Sequence, residues 1–309
     1  MKRVPLSLAL VLTTCAQQSL IDPSVVDEIR ILAVRADPPE VAPGTTAVRL
    51  EALVGDPSGR VNAVNVAWSW CEEPRVASDT TAIPSRCLAP DARLVVIPSS
   101  DLGAMSAVPG DACTAVGPTP APTGPMALAA RAPDPDATGG YGIPVRLELD
   151  DERGRDLAFA PVRITCPRRD VPSDVAAAYS RVRRPNANPQ IDAVVRVNGA
   201  PLDENARDAN GTVSNGESVV VELEASRDSA ESYARISVDG THIEWAQEQL
   251  EASWFATGAH FAESRNVVVD ARARNVLIAD AASGVVTVWV VLRDGRGGTA
   301  WRSYEIERR

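Results

Sequence analysis

The sequence predicts an all-β protein: two tandem β-sandwich domains joined by a short, partly helical linker. Three observations carry that reading. Short apolar–polar alternations lie between clusters of Gly, Pro, Asn and Asp, which is how half-buried strands and their turns are written. The same motifs occur twice in the same order. Helical periodicity is confined to one brief segment. The chain has 309 residues, enough for two cores but more than one usually fills. Aromatics are only 4% while Pro (24) and Gly (20) are plentiful, so turns are many and cores are built mainly from Val, Leu, Ile and Ala.

The first domain spans 27–167. Its opening strand is Ile29–Val34. Val41-Ala-Pro-Gly44 then leads into an alternating strand, Ala47-Val-Arg-Leu-Glu-Ala52. Trp68 and Trp70 alternate and share one face of a further strand. The Pro-rich loop 109–142 includes Gly117-Pro-Thr-Pro-Ala-Pro-Thr-Gly-Pro125, whose prolines lack the N–H a sheet interior needs. Val145–Leu149 runs into the turn Asp150-Asp-Glu-Arg-Gly154, and Leu157–Thr165 closes the domain.

The linker, 168–189, holds a candidate helix, Ser173–Val182 with Ser173 as cap, followed by Pro185-Asn-Ala-Asn-Pro189. The second domain, 190–309, repeats the first. Ile191–Val197 opens it. Val213-Ser-Asn-Gly216 leads into Val219–Ala225. Val285–Leu292 runs into the glycine-rich turn Arg293-Asp-Gly-Arg-Gly-Gly298, and Ala300–Ile306 closes it. Four matches in one order point to internal duplication. Glu244–Ala252 is ambiguous between helix and strand, and reads as a loop or turn feeding the strand at Ser253.

The N-terminus reads as an export signal over 1–14. Lys2 and Arg3 precede a nine-residue apolar core, Val4–Leu12, far short of the ~20 residues a spanning helix needs. The core ends in Leu12-Thr-Thr-Cys15, which resembles the lipobox of bacterial lipoprotein signal peptides, with Thr14 where Gly, Ala or Ser is usual. The resemblance implies lipidation of Cys15 and a lipidated tether over 15–26. It also implies several acyl chains, a membrane anchor and, with Ala16 next, the outer membrane, facing the periplasm or the cell surface.

Removing Lys2 and Arg3 from 31 basic residues leaves 29 against 41 acidic, a net charge of −12 with no lysine. That excludes a general nucleic-acid binder, which needs a basic face. Four further cysteines, Cys71, Cys87, Cys113 and Cys166, are an even number in an oxidising compartment. Three pairings are possible; loop length favours Cys71–Cys87 with Cys113–Cys166.

Catalytic patterns are lacking. His242 and His260 stand 18 residues apart with no metal-ligand spacing, and neither a nucleophile elbow nor a phosphate loop is present. No cofactor is expected. Asp203, Asn205, Asp208 and Asn210 place oxygen donors close together beside Gly211, a weak calcium candidate that reads better as a polar loop. Glu148, Asp150, Asp151 and Glu152 could pair for acid–base work, but Arg153 and Arg155 adjoin them. The tryptophans at 68, 254 and 289 suit a core, while 245 and 301 are open to either reading.

Trp68-Ser-Trp-Cys71, Ser253-Trp-Phe-Ala-Thr-Gly258 and Trp289-Val-Val-Leu-Arg-Asp-Gly-Arg-Gly-Gly-x-x-Trp301 together resemble uncharacterised myxobacterial-type lipoproteins with immunoglobulin-like or PKD-like repeats. The resemblance implies immunoglobulin-like sandwiches and no activity. The expected function is therefore a non-enzymatic envelope lipoprotein that presents a structural or protein-binding module to an envelope or extracellular protein. The alternatives are a carbohydrate-binding module for peptidoglycan or extracellular polysaccharide, and a hydrolase with an unrecognised site.

Overall fold

The computed structural model describes residues 22–44, 47–58, 61, 65–74, 83–118, 138–152, 154–196, 208–213, 218–280 and 284–308. The export signal, Cys15, Asp203 and Asn205 lie outside them. So do residues 119–137, the middle of the loop expected over 109–142.

The first half contains β1 (Arg30–Asp37), β2 (Glu40–Val41), β3 (Ala47–Gly55), β4 (Asn65–Cys71), β5 (Leu94–Ile97), β6 (Ser99–Ser100) and β7 (Gly103–Ala107). A single-turn helix, α1 (Ala112–Ala115), precedes β8 (Tyr141–Asp151) and β9 (Gly154–Ile164). The linker contributes α2 (Ser173–Val182), with Ser173 as its first helical residue; Pro172, at the cap position, offers no side-chain acceptor.

The second half contains β10 (Ile191–Arg196), β11 (Asp208–Val213), β12 (Ser218–Ala225), β13 (Ser232–Ile236), β14 (Ile243–Gln247) and β15 (Glu251–Ala256). It ends with β16 (Ala259–Phe261), β17 (Arg265–Val267), β18 (Arg272–Ala279), β19 (Gly284–Arg293) and β20 (Thr299–Arg308).

Each half is an immunoglobulin-like sandwich of a four-stranded and a five-stranded sheet. The first has orders β1-β3-β7-β6 and β2-β9-β8-β4-β5; the second has β10-β12-β18-β16 and β11-β20-β19-β15-β17. The halves match in detail. The opening pairs β1–β3 and β10–β12 are antiparallel, and each shifts register near its start, between Ile31 and Ala33 and between Ile191 and Ala193. In each, the strand ending on the repeated valine (Val41, Val213) runs parallel to the closing strand. In each, a long hairpin, β8–β9 or β19–β20, forms the backbone of the larger sheet.

Two cores follow from strand alternation. Leu50, Trp68, Trp70, Ile143 and Leu147 fill the first; Leu223, Trp254, Phe261, Leu277 and Leu292 fill the second. Disulfides join Cys71 to Cys87 and Cys113 to Cys166. The first ties β4 to the turn at Ser85–Leu88; the second ties α1 to the residues after β9.

Two local expectations are corrected. Asp208, Asn210 and Gly211, read as part of a polar loop, lie in strand β11 beside β20. Its Asn and Gly residues are poor strand formers, and the long free edge of β20 supplies the pairing that propensity does not. Glu244–Ala252, read as a loop, is divided between β14 and β15. The hairpin β13–β14 is a separate two-stranded sheet with no counterpart among the described residues of the first half. Residues 226–250 separate β12 from β15, where 56–64 separate β3 from β4.

Candidate functional site

The two sandwiches are not beads on a flexible linker. A third apolar cluster joins them: Val26, Leu32 and Ala33 pack with Phe255, Trp289 and Val291, with Leu53 and Trp301 at the margin. Trp289, read as core from the sequence, therefore belongs to the seam. Arg35 lies 4.5 Å over the Trp301 ring, from one half to the other.

A buried polar network closes one end of this seam. Glu40 accepts from Arg183 at 2.9 Å and from the Asn186 backbone N–H at 2.8 Å, with Arg163 and Arg296 at 3.5 and 3.6 Å. Burial works to raise the Glu40 pKa, but the Arg163 and Arg183 charges and its hydrogen bonds overcome that and hold it below the ordinary value. Arg296 donates to Glu248 at 2.7 Å and stacks 4.5 Å over Tyr233. The Glu248 carboxyl is pushed up to about 7, mainly by burial and further by Asp294, against the pull of Arg296.

The linker segment Pro185–Pro189 is the bridge. Asn188, directly before Pro189, is held extended, and both asparagines reach across the seam. Asn186 reaches Glu40 of the first half through its N–H and Asp294 of the second through its side chain, at 2.9 Å. Asn188 donates to the Ala36 carbonyl at 2.8 Å and accepts from the Thr299 N–H at 2.9 Å. Asp294 in turn accepts from the Arg296 and Gly298 N–H groups at 2.7 and 2.9 Å, folding the glycine-rich turn around its carboxylate. A Cβ at Gly298 would stand 2.0 Å from that carboxylate, so only glycine fits. Sequence reasoning missed this site by reading the Pro-Asn-Ala-Asn-Pro run as linker and Asp294 as a turn residue. The spaced asparagines between prolines were the available signal.

The hairpin β13–β14 stands on this network. The Glu231 N–H donates to Glu248 at 2.9 Å at its base, Tyr233 lies under Arg296, and α2 rests against both strands. Cross-strand Arg235 and Glu244 pair at 2.9 Å. Its turn is internally braced. Asp239 accepts from the Ser237 hydroxyl at 2.6 Å, the Thr241 N–H at 3.1 Å and the Thr241 hydroxyl at 2.8 Å, bonds that lower its pKa to about 2. The hairpin offers two large apolar side chains to solvent, Val238 (81% exposed) and Trp245 (61%). In immunoglobulin-like folds the loop between the second and third core strands and the turn of the closing hairpin share one end, the end variable domains use for binding. Here β13–β14 occupies the first position and Arg293–Gly298 the second.

Glu148 lies 3.3 Å from Arg155 and also pairs with Arg146, and Asp150 is 3.8 Å from Arg155, so arginines neutralise these carboxylates. His242 sits in the hairpin turn beside Thr241, and His260 in β16, 3.7 Å from Asp280; the fold does not bring the histidines together. Asp208 and Asn210 lie on β11. Among the described residues no group of three His, Cys, Asp or Glu side chains could hold a metal ion.

No family model matches the chain, and no curated protein matches it. Solved structures that resemble it include the D0-D1 domain of intimin, at 11% identity over 90% of this chain and 98% of that one, TM-score 0.22. The Yersinia pseudotuberculosis adhesin InvE is 9% identical over 89% of this chain and 58% of its own, TM-score 0.24. The titin I-band fragment I67-I69 is 10% identical over 89% and 65%, TM-score 0.18. Scores this low carry no functional argument, and the sandwich assignment rests on the strand pairing above.

Proposed function

We propose that this chain is a non-enzymatic, lipid-anchored envelope protein that uses two locked sandwiches as a rigid support for a protein-binding hairpin. The observation that carries the reading is the β13–β14 hairpin. Among the described residues only the second repeat carries it; it is braced by the seam network, and it presents Val238 and Trp245 to solvent. Cys15 supplies the membrane anchor and the outer membrane is the location. A rigid support suits binding because little ordering entropy is lost when the hairpin docks.

Co-purification from native membranes, followed by mass spectrometry, tests the reading. Trp245→Ala together with Val238→Ser is expected to lose the specific partner while leaving the fold intact. Retention of every partner by that variant overturns it. Globomycin treatment or Cys15→Ser is expected to release the chain from membranes, and unchanged fractionation refutes the anchor.

The exposed Trp245 ring also supports a second reading, in which the hairpin stacks on a sugar of peptidoglycan or an extracellular polysaccharide. Polysaccharide pull-down that Trp245→Ala abolishes would favour it over a protein partner.

A further inference from the structure

Beside the seam, a groove of about 280 Å³ opens between β1 and β9, under the Arg293–Gly298 turn of the second sandwich. Both of its walls are strand edges. β9 pairs with β8 along its whole length, but β2 covers its other edge only at Arg163 and Ile164. The Arg163 N–H donates outward, to the Pro39 carbonyl at 3.1 Å. Backbone groups alternate sides along a strand, so those of Pro161 and Phe159 face outward as well. Pro161 has no N–H, which leaves its carbonyl and both backbone groups of Phe159 on the open edge.

The other wall is β1, which pairs only with β3. Opposite Val34, the Ala52 N–H turns away to the Leu102 carbonyl, so the N–H and carbonyl of Val34 also turn away from the β1–β3 pair, toward the groove. Side chains plug this edge on either side. Asp156 accepts from the Ile31 N–H at 2.6 Å, and Asn188 donates to the Ala36 carbonyl at 2.8 Å. Between the plugs, the outward backbone groups of Val34 and Phe159 bond to no described residue.

Arg293 lines the same groove as a half-buried cation without a counter-ion. Its guanidinium donates to the Leu32 carbonyl at 2.9 Å and to the Ser253 hydroxyl at 3.0 Å, both neutral. Glu251, its cross-strand neighbour, lies 3.6 Å from Arg265 instead, and no described carboxylate stands at ion-pairing distance from Arg293. Burial first, and then the Arg265 charge, lower its pKa, and Glu251 works against them. A guanidinium in this state is destabilising until an anion meets it, and its fork has further N–H donors to offer.

We propose that this groove binds the C-terminal tail of a partner polypeptide, seated as a short extended strand against β9 with its terminal carboxylate on Arg293. Charge complementarity selects the occupant. The carboxylate supplies the anion that Arg293 lacks, and an extended main chain supplies partners for the Phe159 and Val34 backbone groups, as in strand addition to a sheet edge. The small side chains of Ala33, Ala158 and Ala160 leave room for a chain end with small aliphatic residues. The site is separate from the β13–β14 hairpin, and it depends neither on the partner proposed there nor on the membrane anchor.

The probe is a panel of fluorescein-labelled tripeptides of alanine and valine, each made as the free acid and as the C-terminal amide. They are titrated into the native chain by fluorescence anisotropy. At least one acid is expected to bind at least about tenfold more tightly than its amide, the loss that follows removal of a charge-assisted hydrogen bond. Equal affinity of the two forms, or no binding by any peptide up to about 1 mM, overturns the proposal. Arg293→Gln, which retains donors for Leu32 and Ser253, is expected to bring acid and amide to the same weak affinity; a preserved difference removes Arg293 from the site. Ala158→Leu fills the groove with Arg293 in place and is expected to weaken the acid by a similar factor, whereas undiminished binding refutes the placement. Hydrogen exchange on the native chain needs neither variant to fold. The Phe159 and Val34 amides are expected to exchange several-fold more slowly once the acid peptide is bound. Binding that leaves both amides unprotected refutes the strand addition.

Discussion

Glu40 of the first sandwich and Arg296 of the second lie 3.6 Å apart, each with its side chain only 4% exposed. They are the centre of a buried cluster in which three arginines and one linker amide converge on a single carboxylate.

Removing that carboxylate takes the shared counter-charge away from three guanidinium groups, although Arg296 keeps Glu248. Glu40→Gln is expected to cost about 3–5 kcal/mol, the range seen when one partner of a buried ion pair is lost. Because Glu40 ties the halves together, both are expected to lose stability. Urea unfolding followed separately by tryptophan fluorescence and far-UV circular dichroism checks this; an unchanged midpoint would show that the network holds nothing.

Glu248 gives the seam a pH dependence of known sign. Burial pushes its carboxyl up to about 7 in the folded protein from the ordinary 4.5 of an unfolded chain, so the folded state binds the proton more tightly. The stabilisation is full below pH 4.5 and is lost as the pH rises through about 7. Glu40 acts in the opposite sense. Its folded pKa is lowered, so its contribution is present above 4.5 and is lost as the pH falls through the lowered value. The melting temperature of the native chain is expected to fall between pH 5 and 8, and Glu248→Gln to flatten that slope. A parallel slope in the variant assigns it elsewhere.

Two tryptophans separate the roles of seam and hairpin. Trp289 is buried between the halves, whereas Trp245 is 61% exposed. Trp289→Ala is expected to destabilise by about 3–5 kcal/mol, as for other buried aromatic truncations. Trp245→Ala should stay within about 0.5 kcal/mol of the native value. A large loss of stability for Trp245→Ala would make the hairpin a structural element and not a contact surface.

The Cys113–Cys166 bridge closes a separation of 53 residues and Cys71–Cys87 one of 16. Chain-entropy reasoning assigns them about 4 and about 3 kcal/mol. Cys113→Ala with Cys166→Ala is expected to lower the unfolding midpoint more than Cys71→Ala with Cys87→Ala. Intact-mass analysis of the exported chain should find no free thiol among the four, and two or more would remove the bridges.

Strand periodicity and turn chemistry are local properties, so the sequence was sufficient for the all-β class, the duplicated order of motifs and the long closing hairpins. Val41 and Val213, or the turns at Asp150 and Asp294, could be matched by inspection because each half repeats the same short-range rules. Cysteine parity and loop length likewise favoured the pairing that the fold contains. The seam was not legible in this way. Nothing near Glu40 in sequence distinguishes it from a solvated carboxylate; it becomes a hub only when Arg163, Arg183 and Arg296 arrive from three distant segments. Ser24 reads as tether until Ala256 and Phe261 come within hydrogen-bond distance. Trp289 and Trp254 sit on similarly apolar strands, yet one fills a domain core and the other the contact between domains, because that choice depends on which sheet face the partner sandwich covers. Local alternation determines which faces are apolar; only long-range packing decides what buries them.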